Sequence, residues 1–168
     1  MFSSKTKTVV FSGVFIALTV ILTHVFAIQT PFLRISFGFL PIAVFAMLFG
    51  PWKTGLMAAI ADILGGMIFS PGLFFPGFTL SAFLAGVIYG YFFYKKEITI
   101  KTLFIASSLI LLFIDLGLNT IWLSMLYNKA ADAIIVSRAI KSLLMLPIHI
   151  FLLYMVHKPL LLYYKPLK

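Results

Sequence analysis

The 168-residue chain contains no cysteine, and only 4 of its residues are acidic. Without cysteine there is no disulfide framework, no thiol nucleophile and no thiolate metal site. Charge of either sign is scarce. Charged residues make up 10% of the chain, where a soluble domain carries about 25%. Too little polar surface remains to cover a water-soluble particle of this size. That excludes a soluble enzyme, a nucleic-acid reader and a membrane protein with a large extramembrane domain. Motifs for energy and catalysis are missing too. There is no GxxxxGK(S/T) phosphate loop, no GxSxG turn, no His/Glu zinc motif and no paired carboxylates. The chain reads as a protein that is not an enzyme, uses no cofactor or metal, and draws its energy from elsewhere.

What is present is apolar. Hydrophobic residues make up 62% of the chain, and mean hydropathy is +1.14. Six segments are apolar enough to enter a bilayer: residues 9–28, 37–49, 52–69, 78–94, 102–126 and 134–156. The expectation is an all-α integral membrane protein, with 1–168 forming a single six-helix bundle. Lys5 and Lys7 ahead of a long apolar run resemble a signal peptide, but the run is too long and is read as the first spanning helix. Segment 37–49 is short for a hydrocarbon core of about 30 Å. Charge parity supports its crossing. With six crossings, Lys5, Lys7, Lys53, Lys95, Lys96, Lys101, Lys158, Lys165 and Lys168 share one side, against Arg34, Lys129, Arg138 and Lys141 on the other. That bias places both termini in the cytoplasm. If segment 37–49 stays on one side, the bias collapses. The net charge of +9 is therefore read as topology and contact with anionic membrane lipids, not as nucleic-acid binding.

Charges at membrane depth cost a few kcal/mol or more each, so each needs a reason. Asp62 lies near the middle of the third segment and Asp115 near the middle of the fifth. Asp115, Asn119 and Trp122 share one helix face by spacing, as do Arg138, Lys141, Met145 and His149. In the expected topology Asn119, Trp122, Arg138 and Lys141 fall in the outer half, level with His24 and Arg34. An outward-facing cavity results, with cations near its mouth and aspartates deeper. It suits a ligand with an anionic end and a donor-rich, uncharged end. Phe74, Phe75, Phe78 and Trp122 could stack on a flat ring.

Duller roles exist for most of these residues. Trp122 could be an interfacial belt residue, Lys141 could snorkel to headgroups, and the loop phenylalanines could anchor lipid. Asp115 could simply pair with Arg138, and His24 and His149 could be packing hydrogen-bonders. Arg34 could be a solvated loop charge. Asp62 leads the functional candidates because no cation is evident at its depth, and Arg34 follows. On the first helix, Gly13 and Ala17 form a small-residue face suited to close approach of another helix. Ala82, Gly86 and Gly90 form a second stripe, assigned to contacts inside the bundle.

The stretches FGFLPIAVFAMLFGPWKTGLMAAIADILG (37–65) and SPGLFFPGFTLSAFLAGVIYG (70–90) resemble the substrate-binding S component of an energy-coupling factor (ECF) vitamin transporter, in its folate-specific (FolT) branch. The likeness extends over nearly the whole chain. It implies a multi-pass protein of the bacterial cell membrane with an extracellular vitamin pocket. It also implies a complex with one transmembrane coupling protein and two cytoplasmic ATPases. In the family an AxxxA face on the first helix meets the coupling protein, and the matching positions here are Gly13 and Ala17. Folate suits the charge map, its pterin donors facing one aspartate and its carboxylates facing Arg34, Arg138 or Lys141. The residues leave open which of Asp62 and Asp115 faces the pocket. Riboflavin, biotin, thiamin or a pterin-like vitamin are alternatives within the family, though cationic thiamin suits the basic rim poorly. A structural subunit of a membrane complex is the alternative outside it. A membrane-embedded enzyme lacks any catalytic constellation.

Overall fold

In lipid every backbone polar group must be satisfied internally, so apolar segments of this length fold as helices. The computed structural model, which describes residues 4–29, 34–69, 74–127 and 131–163, is nearly all helical. Helices α1 (Ser4–Val20), α2 (Phe39–Phe49), α3 (Pro51–Phe69), α4 (Pro76–Phe93), α5 (Ile100–Leu109), α6 (Asn119–Tyr127) and α7 (Ala131–Tyr163) follow in order. Two stretches are wound wider, as π-helix: Ile21–Val25 continues α1, and Ile110–Leu118 joins α5 to α6. One two-residue antiparallel ladder, β1 (Ile28–Gln29) with β2 (Arg34–Ile35), pairs Ile28 with Ile35 and Gln29 with Arg34. Residues 30–33 and 70–73, the loop residues 128–130 with Lys129, and the tail 164–168 with Lys165 and Lys168 lie outside the described residues.

Among the described residues five helical stretches are long and apolar enough to cross a membrane: Thr6–Val25, Pro51–Phe69, Pro76–Phe93, Ile100–Tyr127 and Ile135–Pro159. Helix α2, with 11 residues, is shorter. The helical membrane class expected from composition is what the chain adopts. The bundle is organised as a lipid solvent demands. Large apolar side chains such as Val9, Leu56, Leu143 and Phe151 face outward, while Ala43, Ala46, Thr54, Ala58, Ala61 and Ser107 are buried. Small interior residues let helices approach closely where lipid tails are as apolar as leucine. At Gly86, an added Cβ would lie 2.8 Å from the Thr54 carbonyl oxygen and 3.0 Å from the Gly55 Cα, and one at Gly90 would overlap the Pro51 backbone. The Gly86/Gly90 stripe is thus the seam between α3 and α4.

Several boundaries differ from those read in the sequence. The Gly50-Pro51 turn falls where expected, with Gly50 in the left-handed region at φ 84° and Pro51 opening α3. Helix α4 begins at Pro76, since proline suits the first helical position. Helix α7 starts at Ala131 and runs to Tyr163 through Pro147 and Pro159. Its basic end is no stop signal: the Lys158 ammonium lies over the Tyr154 ring at 4.7 Å, one turn back. The first segment ends early, because after the π turn the chain extends into the ladder.

Candidate functional site

The polar groups gather on α3, α4, the π segment Ile110–Leu118, α6 and α7 in two sets. The first is an ion cluster between the π segment and α7. Arg138 Nη2 donates to Asp115 Oδ1 at 2.9 Å and to the Asp115 backbone oxygen at 2.7 Å, and Lys141 Nζ donates to Asp115 Oδ2 at 2.7 Å. The side chains of Arg138, Lys141 and Asp115 are 5%, 11% and 16% exposed. Burial removes hydration that only an opposite charge can replace, so two cations converge on one carboxylate. Of the alternatives weighed for Asp115, pairing with Arg138 is what the geometry displays, and Lys141 turns inward rather than snorkelling. The cluster retains one net positive charge.

Asn119 Oδ1, Ser142 Oγ and His149 Nδ1, on residues beside this cluster in sequence or along the same helix faces, are buried polar atoms without a hydrogen-bond partner among the described residues. Asn119 Nδ2 reaches Asp115 Oδ1 at 3.5 Å, so the two share a face as spacing predicted. The two histidines weighed as candidates, His24 and His149, pack. His149 stacks on Phe39 of α2, with ring centroids 3.6 Å apart. His24 stacks on Phe69 at 5.4 Å and presses against Gly65, where a side chain would collide with it.

The second set is built on the first two turns of α4. Thr79 Oγ1 donates to Asp62 Oδ2 at 2.8 Å, across to α3. Trp122 Nε1 donates to Ser81 Oγ at 3.1 Å, across to α6. Phe75 stands 5.8 Å from the Trp122 ring and 6.1 Å from that of Phe78. Phe74, at the start of the same segment, lies over Gly66 of α3. One helix end therefore brings Asp62, Trp122 and the loop phenylalanines together. Arg34 lies opposite Gln29 in the ladder.

Sequence reasoning missed Thr79, Ser81 and Gly77, although they lie in PGFTLSAF, a stretch already singled out. Gly77 and Ser81 stand four apart, on one helix face. Among the described residues no group of three or more His, Asp or Glu is placed to hold a metal. The arrangement can bind a polar, partly anionic ligand that presents a flat ring.

The family model described as the ECF-type riboflavin transporter S component matches residues 3–165. The chain belongs to this S component family. The folate transporter FolT of Clostridium novyi (strain NT) is 43% identical over 150 residues, covering 89% of this chain and 87% of its own length. The folate transporter FolT of Leuconostoc mesenteroides subsp. mesenteroides is 36% identical over 155 residues, covering 89% and 83%. A crystal structure of FolT bound with folic acid superimposes with a TM-score of 0.86 at 42% identity, covering 90% of this chain and 92% of that one. The family likeness read from residues 37–90 thus holds for nearly the whole S component. It is a multi-pass membrane protein of a transport system and not an enzyme.

Proposed function

We propose that this S component captures folate from outside the cell and delivers it to ATP-driven uptake by an ECF complex. The observation that carries the reading is the likeness to FolT bound with folic acid, extending over 90% of the chain at 42% identity. The site chemistry supports it. Asp115 is committed to Arg138 and Lys141, and Asp62, held by Thr79 from the same end of α4 that carries the aromatic groups, is the acceptor for the pterin's amino group and ring N–H. Trp122 and Phe74 supply stacking surfaces for the pterin or the aminobenzoyl ring. The net positive cluster, with the half-buried Asn119 nearby, and Arg34 on the outer ladder receive the glutamate tail. In this reading both termini are cytoplasmic and α2 completes a sixth span of the bacterial cell membrane.

The partners are one transmembrane coupling protein, docked on α1, and two cytoplasmic ATPases. Gly13 and Ala17 are exposed, and a Cβ built at Gly13 meets nothing within 4 Å. That face is therefore open to another helix, not used inside the bundle. Binding of labelled folate to the purified protein without ATP tests the capture step. Riboflavin is the second reading, because the matching family model carries that vitamin in its description. Saturable folate binding that excess riboflavin does not displace is the expected result. Riboflavin displacing folate would transfer the function to the other vitamin. Binding of neither would leave a structural subunit.

A further inference from the structure

The two tryptophans of this chain are placed in opposite ways. Trp52 is 71% exposed, as an interfacial belt residue is. Trp122 is half-buried, and its N–H turns inward to the hydroxyl of Ser81, itself 3% exposed. A belt tryptophan directs its N–H to headgroups and water. Trp122 gives up that option for a fixed partner on another helix. The floor under its ring is equally specific: a Cβ at Gly77 would stand 2.5 Å from Trp122 Cδ2 and 2.6 Å from Phe75 Cε1. Any larger residue there must displace both rings. Gly77 and Ser81 lie one turn apart on the same face of α4. One lets the indole lie against the helix, and the other holds it by its nitrogen.

We propose that Ser81 and Gly77 are positioning residues that fix the Trp122 indole as the stacking platform for the ligand's ring system. The inference rests on the folate reading above and extends it to residues that do not touch the ligand. A flat ring gains most from an aromatic surface already held in place, because no side-chain freedom is lost on binding. Thr79, between the two, holds Asp62 from the same turns of α4. The donor-binding carboxylate and the stacking surface are thereby set relative to each other by one rigid element.

The test uses the full chain in nanodiscs, in a Trp52→Phe background so that Trp122 is the one tryptophan left, with excitation selective for indole over tyrosine. Ser81→Ala should red-shift and broaden the Trp122 emission and weaken folate binding about three- to tenfold. Ser81→Thr, which keeps the hydroxyl, should restore both. Gly77→Ala should shift the emission through displacement of the ring and weaken binding in the same way. In a Trp122→Phe background, which removes the N–H, Ser81→Ala should cost no further affinity. The proposal is overturned if Ser81→Ala binds folate as tightly as the unaltered protein, or if its loss persists undiminished with Trp122→Phe. Failure of the unaltered protein to bind folate would refute the folate reading instead, and the emission measurements would still decide whether Ser81 and Gly77 hold the indole.

Discussion

Replacing Asp115 with asparagine isolates the ion cluster. The carboxylate sits 2.9 Å from Arg138 Nη2 and 2.7 Å from Lys141 Nζ. Asparagine keeps the shape but removes the charge, so the cluster goes from one net positive charge to two. At an effective dielectric of about 20, one close ion pair is worth about 4 kcal/mol before desolvation. Desolvation is already spent on the two cations, and the variant cannot recover it. The expected loss is that of breaking a buried pair, about 3–5 kcal/mol. For a chain of this size that lowers the thermal midpoint by about 6–20 °C. Circular dichroism of the protein in nanodiscs would read it. Adding Lys141→Met returns the cluster to one net charge and should recover part of the loss. A midpoint within about 2 °C of the unaltered protein, accompanied by collapse of folate binding, would refute the reasoning. Asp115 would then face the ligand, and Asp62 would not.

Three further outcomes are expected. Asp62→Asn should reduce folate affinity sharply while the protein stays folded, because the amide turns one of the two acceptor oxygens beside Thr79 into a donor that faces the pterin donors; titration with labelled folate reads this. Arg34→Ala should weaken folate more than a pterin without the glutamate tail, by about ten- to a hundredfold, and equal losses for both ligands would remove Arg34 from tail recognition. Gly13→Trp and Ala17→Trp should abolish uptake by cells carrying the coupling protein and ATPases while leaving folate binding to the isolated protein intact. Loss of binding along with uptake would instead mean that this face of α1 packs inside the bundle.

Why some of this was legible and some was not comes down to which interactions carry a local signature. Helix positions were legible because lipid enforces backbone pairing within each segment, and the Gly50-Pro51 turn is written in a glycine free to take a positive φ and a proline whose φ is fixed. The π segments at 21–25 and 110–118 were not, because shifting the bond from the fourth to the fifth residue requires no particular side chain. Spacing placed Asp115 with Asn119, and Arg138 with Lys141, on single faces. It could not rotate the two faces onto each other, which is why Asp115's commitment to both cations came only with the structure. The hydroxyls show the limit most clearly. Ser12, Thr19 and Thr54 each donate to the carbonyl four residues earlier, at 2.8, 2.7 and 2.7 Å, the default for a hydroxyl in an apolar helix. Thr79 bonds instead to Asp62 on α3, and Ser81 accepts from Trp122 on α6. Nothing in residue type or spacing separates the two behaviours. The difference is one side-chain torsion, set by whether a neighbouring helix offers a better partner. Thr79 and Ser81, whose hydroxyls bond across to neighbouring helices, both meet candidate ligand groups, so a hydroxyl that leaves its own helix is worth reading as a pointer to the site.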